Sequence, residues 1–595
     1  MLVLILMVLA AFLAAASAEA VGTSASPTPG KLVLRVDWLD NVNSTNPFAA
    51  VGICEYQIDH LNYDLLVGFN ATDMSPRPEL ATSWSSSSDQ KTWTFKIRQG
   101  VKWSDGVPLT AKDVAFTFNY MIKNNIAGYL MFTTGIKDVV APDDTTVVFN
   151  CNYPKADILR MWVPILPEHI WGKIKPADVT QYANNPPVVG SGPFQSVKLV
   201  RGQYIVLKAN KDYWGGAPKV DEIIFITASN TNTMVDDLKS GAVDVVIDMR
   251  VVQGKALDPK KFTFQTGLSK GFYELGFNCS TSAYSKGNPV LKDWKFRQAL
   301  NYAVDKQKIL DVAFLGQGSV ASGVIQPGYF PKSCDYHWQP SADQTYPFDL
   351  NKASEALTAA GYPLKNGVRV DKQGKPITLR LEALANMQEN QTAAKLIAGW
   401  FGQLGLNIQY SVVDDGTLIG QQYNFVGNNF TPDYDMFMWN WTGLGVDPNF
   451  ILSVFTTAQV ANWSDCMYSN PEYDKLFTEQ ARTVDQQQRK AIIWKMQELL
   501  YQQTPYVTMV YAADSTAFSN KWQGWVASPT GACVAYNADN IDSWVNVHLA
   551  TAGSTTSKSG TNAWLIIGIV CAVVVVLGTA TFVITRRRRD RRVEE

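Results

Sequence analysis

Residues 78–114 read PELATSWSSSSDQKTWTFKIRQGVKWSDGVPLTAKDV, and the marks of a strand, a turn and a capped helix follow one another along them. From Thr92 to Arg98 the chain alternates: Trp93, Phe95 and Ile97 share one face, while Thr92, Thr94, Lys96 and Arg98 share the other. That period of two predicts a half-buried antiparallel strand. Asp105-Gly106 then supplies a turn, because glycine takes the positive φ that a tight reversal needs. Thr110 and Asp113 stand in capping-box spacing, so a helix starts there with Val114, Phe118 and Met121 on one stripe.

The same punctuation extends in both directions. Lys31 to Asp37 (KLVLRVD) alternates as a strand, and the Asn/Ser/Pro cluster behind it reads as a loop. Asp349 caps a helix whose Ala353, Ala356, Leu357 and Ala360 share a face, with Gly361 as its left-handed stop. Gln391 to Gln403 reads as a helix ended by Gly405, and Asn407 to Val413 returns as a strand. Asn470-Pro471 opens a helix, and Asp485 opens another whose Ile492, Met496, Leu499 and Leu500 face the core before Pro505. Strands and helices alternate over long stretches, so the fold class is α/β. No repeat occurs at solenoid or propeller periods.

The chain has 595 residues, enough for several domains, and its 46% hydrophobic and 18% charged residues suit a globular protein. A formal net charge of -1 offers no basic face for nucleic acid. Residues 1–18 form an apolar run ending Ala16-Ser17-Ala18, the pattern of a cleavable export signal, with an uncut N-terminal anchor as the alternative because no basic residue precedes the run. Residues 563–584 carry no charge and are followed by Arg586 to Arg589, Arg591 and Arg592. Twenty-two uncharged residues are long enough for a transmembrane helix. The positive-inside rule then puts the basic tail, 585–595, in the cytoplasm and everything before the span outside the cell. A Ser/Thr/Gly stalk, 551–562, joins the two. The expectation is a single-pass protein of the cell membrane with an extracellular body. Cysteines 54, 151, 279, 334, 466 and 533 would then lie outside, where disulfides are permitted in any of fifteen pairings, and Cys571 would lie in the span. Asn43, Asn70, Asn278, Asn390, Asn429, Asn440 and Asn462 stand in glycosylation sequons.

Seven blocks occur in an order that belongs to one family. They are Pro78 to Trp84 with Trp93 to Arg98 and Thr110 to Val114; Gly190-Ser191-Gly192-Pro193-Phe194; Asn210-Lys211-Asp212-Tyr213-Trp214; Ser240 to Val245; Phe296-Arg297-Gln298-Ala299-Leu300 running to Asp305; Tyr346 to Gly361; and Tyr434-Asp435 leading to Asp447-Pro448. Over residues 31–544 the chain resembles family 5 of the extracellular solute-binding proteins, the oligopeptide and dipeptide-binding components of ABC importers. The resemblance implies a two-lobed, hinge-closing fold like that of periplasmic binding proteins, of the cluster C type with an extra inserted subdomain. By analogy lobe I gathers 31–64, 191–270 and 507–547, the subdomain is 65–190, and lobe II is 271–506. The chain then crosses between lobes near Lys270 and near Tyr506. A ligand that contacts both lobes favours the closed state. Most of the block residues have a structural reading: turn glycines, and an Arg297 that ties its helix to the core.

The most site-like stretch is Asp435 to Asn449, DMFMWNWTGLGVDPN. Peptide-binding members of the family carry Trp-x-x-Asp here, whose carboxylate pairs with the ligand's α-amino group. This chain reads Trp441-Thr442-Gly443-Leu444, and a leucine cannot compensate an ammonium. Asp447 either reaches the same space or serves a turn. Trp439 and Trp441, on one strand face, with Asn440 between them, also suit a sugar, whose apolar faces lie on indoles while amides meet its hydroxyls. The alternative is that one of the two indoles is core packing. Val51 and Ile53, after Asn46-Pro47-Phe48, correspond to a stretch that lines the pocket from lobe I. The ligand is therefore an oligopeptide or an oligosaccharide.

An enzyme is not expected. Only four histidines occur, none in H-E-x-x-H, and Gly190-Ser191-Gly192 is followed by proline, so there is no nucleophile elbow. Asp236-Asp237 is an adjacent acid pair of the kind that forms solvated faces. No catalytic residue, metal ligand or cofactor is predicted. A tail of this length cannot fold as a signalling domain. The partners implied by the resemblance are the ligand, an ABC permease and its ATPase subunits, with the binding protein itself a monomer.

Overall fold

The computed structural model describes residues 30–550 apart from 40, 51, 52, 72, 125, 127, 128, 269, 270, 329–334, 442–446, 512 and 528–539. The expected signal, stalk, membrane span and basic tail lie outside the described residues, as do Cys334, Cys533 and Cys571. Among the described residues no helix is long and apolar enough to cross a membrane. Cys54, Cys151, Cys279 and Cys466 are buried thiols.

Among the described residues three larger sheets carry the architecture. The first is seven-stranded, in the order Phe262–Leu268, Ala513–Ser519, Val245–Ile247, Val33–Trp38, Glu222–Thr227, Tyr204–Ala209, Phe194–Val200. At its centre Val33–Trp38 runs parallel to both Glu222–Thr227 and Val245–Ile247. Leu34 and Val36 are fully buried there, against Ile58 and Leu61 of the helix Ile53–Asn62. A strand buried on both faces has to be apolar, which is why the alternation in KLVLRVD is incomplete.

The second sheet belongs to the inserted segment, in the order Ala81–Ser86, Thr92–Ile97, Thr146–Cys151, Ile136–Asp143, all antiparallel. Trp93, Phe95 and Ile97 are buried, as their spacing predicts. The helix Ala111–Asn124 lays Val114, Phe118 and Met121 into the same core. Its capping box is formed: Thr110 N donates to Asp113 Oδ2 at 2.9 Å, and Lys112 N donates to Thr110 Oγ1 at 3.2 Å.

The third sheet is six-stranded: Ser319–Val320, Tyr506–Tyr511, Phe272–Phe277, Met436–Trp441, Thr378–Leu384, Asn407–Val413. The helices Gln388–Gln403 and Trp294–Asn301 cover one face. Arg297 does tie its helix down, donating to the carbonyls of Leu291 at 2.6 Å, Gln503 at 2.8 Å and Thr504 at 3.0 Å.

The chain passes between the first and third sheets twice. One passage lies between Leu268 and Phe272. The other lies between Tyr511 and Ala513, not near Tyr506. Tyr506–Tyr511 is buried at every position and pairs with Phe272–Phe277, so it is an inner strand of the second lobe. Pro505 marks where that strand starts and not where the lobe ends. The inserted segment leaves and rejoins the first lobe at one knot: Gly192 N donates to Asn62 O at 2.9 Å, and Asp64 N to Ser191 Oγ at 3.2 Å.

Candidate ligand-binding site

The strand Met436–Trp441 brings Trp439 and Trp441 to one face, half-buried. In the antiparallel register Trp441 lies opposite Phe272 and Trp439 opposite Glu274, and directly opposed residues share a face. Both indoles pack on an apolar cluster that joins Phe272, Leu384, Phe437 and Tyr506 of the second lobe to Leu65, Phe69, Met74 and Trp162 of the inserted segment. The two tryptophans therefore stand where the inserted segment meets the second lobe. On the inserted-segment side of this cluster, Trp162 meets the His60 ring edge-on at 5.0 Å and stacks near Tyr56 at 6.5 Å.

Trp441 is held on two sides. Its indole N–H donates to the Tyr506 hydroxyl at 3.2 Å, and its ring meets Phe450 edge-on at 5.7 Å. Tyr506 passes the bond on by donating to Asp465 Oδ1. Phe450 in turn meets the exposed Trp463 at 6.0 Å, so an aromatic series runs outward from Trp441. Fixed rings of this kind offer apolar area at little entropic cost.

Asn440 does not sit between the indoles. It lies opposite Tyr273, on the other face of the strand, because side chains alternate. Asp447 is buried, and Arg489 donates to its two oxygens at 2.7 and 2.8 Å; Asn449 N also donates to Oδ1 at 2.9 Å. Its carboxylate is thus committed to an internal ion pair and a turn, and the reading in which it receives a ligand amine loses its acceptor. Burial would raise its pKa, but Arg489 overrides that and holds the group below the usual carboxylate range. Ile53 opens the helix Ile53–Asn62. Val51 and Leu444 lie outside the described residues.

Two acids went unnoticed in the sequence. Glu274 is fully buried beside Trp439, and neither of its oxygens has a hydrogen-bond partner; the same holds for Asp465 Oδ2. Burial raises both groups, Asp465 to about 7, and the neighbouring Asp465 raises Glu274 further. The signal was present: Glu274 is the one charged residue in the run Phe272–Phe277, FYELGF. Asp465 and Trp162 carried no comparable local mark. Among the described residues no group of three His, Cys, Asp or Glu side chains is placed to hold a metal ion.

Residues 75–463 match the profile of bacterial extracellular solute-binding proteins, family 5 Middle. The oligopeptide-binding protein AppA of Bacillus subtilis is 26% identical over 559 residues, which cover 91% of this chain and 98% of AppA. Heme-binding protein A of Haemophilus influenzae is 24% identical over 502 residues, 79% of this chain and 85% of that protein. The structure of AppA in complex with a nonapeptide superposes with a TM-score of 0.71 at 23% identity, covering 87% of this chain and 99% of that one. NikZ from Campylobacter jejuni in complex with Ni(L-His) gives 0.72 at 22% identity, covering 86% and 99%. At these identities the structural likenesses establish the two-lobed α/β fold. With the profile spanning most of the length, the chain belongs to the bacterial extracellular solute-binding proteins, family 5, and is a binding protein and not an enzyme.

Proposed function

We propose that this protein is the substrate-binding component of an ABC importer and that its ligand is an oligopeptide, taken up between the lobes and handed to a membrane permease driven by ATPase subunits. The observation that carries the reading is the nearly end-to-end match with an oligopeptide-binding protein. Two chain passages between the lobes provide a hinge, and the apolar cluster shared by Trp162, Trp439 and Trp441 is where the inserted segment and the second lobe offer a ligand surfaces from both sides of that hinge on opening. The protein acts as a monomer, exported and tethered through 563–584, with its body outside the cell; the uncharged span and the arginines behind it support that placement. An oligosaccharide was the alternative ligand, and it loses the amide between the indoles on which it rested, since Asn440 faces away.

Leu444 and the commitment of Asp447 to Arg489 mean that the peptide is gripped by its backbone and side chains, with no carboxylate reserved at those positions for its amino end. A thermal-shift screen tests the ligand class. Peptides of two to nine residues, neutral oligosaccharides and haem are each added to the protein. A ligand at 100 times its Kd adds about 2.7 kcal/mol of stability, which is readily seen. Peptides alone are expected to raise the Tm; a shift with sugars or haem and none with peptides would overturn the reading.

A further inference from the structure

The register of the seven-stranded sheet brings a set of turns to one end of the first lobe. Val33 pairs with Glu222, Val245 with Phe518 and Phe262 with Ser519, so the turns before Val33, Glu222, Val245 and Phe262 gather with the turn after Ser519. That end is basic. Lys219, Lys239, Lys260, Lys261 and Lys521 are all exposed there. The acids beside them are largely committed: Asp244 meets Arg35 at 3.0 Å and Lys521 at 2.6 Å, Asp221 meets Lys211 at 2.8 Å, and Glu222 meets Lys31. Asp258 accepts the backbone N–H of Lys260 at 3.0 Å. Lys219, Lys239, Lys260 and Lys261 have no ion-pair partner among the described residues. Lys239, Lys260, Lys261 and Lys521, with Ser240 and Ser519, line an open cleft of about 390 Å³. A cleft walled by one sign of charge focuses the field and draws in anions.

We propose that this end of the first lobe is a docking surface for an anionic phospholipid membrane, with headgroup phosphates entering the lysine cleft. The inference rests on the reading of 563–584 as a membrane span. The place where the chain leaves the body names the occupant. His548–Leu549 pairs with Trp522–Gln523, which directly follow Lys521, and Lys219 N donates to Val545 O at 3.2 Å. The last strand before the Ser/Thr/Gly stalk is therefore bonded beside two of the basic turns. A flexible stalk over 551–562 has an end-to-end reach of about 20 Å, so a span that begins at 563 keeps this end of the lobe near the lipid surface. Charge is complementary as well. Outside the arginine tail the acids of the chain outnumber its bases, so the basic end is a local feature and not a result of composition. Each lysine brought to an anionic surface strengthens the contact about five-fold. Such a contact is undone by salt, which a membrane span is not. A first lobe seated in this way leaves the second lobe free to move about the two chain passages.

Lysine footprinting of the full-length protein with vesicles tests the surface. Acetylation of the five lysines, read by mass spectrometry, should fall about five-fold in vesicles that contain phosphatidylglycerol relative to vesicles of phosphatidylcholine alone. Lys365 and Lys475, exposed on the second lobe, should react equally in both. Salt at about 1 M, where the Debye length is about 3 Å, should remove the protection. The triple variant K239Q/K260Q/K261Q breaks no ion pair among the described residues, and in it Lys219 and Lys521 should lose their protection by phosphatidylglycerol. Equal acetylation in the two lipids, protection shared by Lys365 and Lys475, or protection that the triple variant keeps would overturn the proposal. Protection of the same lysines by inorganic phosphate in phosphatidylcholine vesicles would make the cleft a free-anion site and overturn the membrane as its occupant. Flotation with phosphatidylcholine vesicles reports the span separately. A chain that fails to float there disproves the tether, and its footprint with phosphatidylglycerol vesicles still decides the docking surface.

Discussion

Arg489 holds Asp447 with two parallel hydrogen bonds of 2.7 and 2.8 Å, wholly inside the second lobe. Two buried ions of opposite sign repay their desolvation only while both are present. Asp447→Ala should therefore cost about 3–5 kcal/mol, because it removes the bidentate partner of the buried Arg489 guanidinium and leaves only the weaker attraction of Asp157. The double replacement D447L/R489M should cost clearly less than either single change. Denaturant unfolding of the three variants measures this; equal losses in the single and double variants would mean the pair is not the source of the cost.

The same commitment shapes ligand recognition. Leu444 carries no charge and Asp447 is neutralised internally by Arg489, so neither side chain can meet an α-ammonium group. N-acetylation of a bound peptide should then change its Kd less than about three-fold, whereas losing a desolvated ammonium–carboxylate contact costs ten-fold or more. Calorimetric titration with free and acetylated forms of one peptide decides it, and a loss beyond ten-fold would mean that another carboxylate takes the amino end.

Asp465 makes stability depend on pH in an unusual direction. Its pKa is pushed up to about 7 by burial, against about 4 in the unfolded chain. Between those values the unfolded chain ionises first while the folded protein keeps its proton, so stability falls by about 1.4 kcal/mol per unit as pH rises through the window and levels off above it. Asp465→Asn keeps an oxygen to accept from Tyr506 and removes the titration. Relative to the unmodified protein it should be near neutral at pH 4 and more stable by at least about 2 kcal/mol at pH 8. Melts at the two pH values test this, and a difference that does not change with pH would mean Asp465 ionises normally.

What could be read from the chain was what is encoded within a few residues. The strand at Thr92–Ile97, the capping box at Thr110 and Asp113, the Asp349 cap and the Gly361 stop are local patterns, and each is formed. The second lobe crossing was misplaced because Tyr506–Tyr511 is one apolar run, and only its pairing with Phe272–Phe277 says which lobe owns it. The site was legible in part for the same reason. Trp439 and Trp441 advertise a face through their spacing, but Asp447 meets Arg489 42 residues away and Glu274 meets Asp465 across the fold. Such partnerships are set by tertiary packing, which no local spacing records.

Gly190 and Gly192 carry the point where the inserted segment rejoins the first lobe. A Cβ at Gly190 would stand 2.0 Å from the Asn62 carbonyl oxygen, and one at Gly192 2.4 Å from that of Leu61. Both obstacles are backbone at the end of the helix Ile53–Asn62 and cannot rotate away. Gly190→Ala should destabilise by about 1–3 kcal/mol, the usual cost of forced overpacking, or more if the helix end cannot shift. Gly202, with nothing within 4 Å, is the control, although its positive φ of 72° makes alanine mildly unfavourable there as well. Similar losses at the two sites would show that crowding at the knot is not what selects glycine.

The proposed tether is separable from binding by experiment. Residues 563–584 in helical form would span about 33 Å, enough for a hydrocarbon core of about 30 Å, and Arg586 to Arg589 would stop transfer on the cytoplasmic side. A chain ending at residue 550 retains the sheets and the indole face, so it should leave the membrane fraction while showing the same ligand-induced Tm shift. Replacing Val574 and Val575 in the full chain with lysine puts two charges mid-span, at about 2.5–3.5 kcal/mol each, and should release the protein in the same way. Retention of both variants in carbonate-washed membranes would assign the attachment to some other part of the chain.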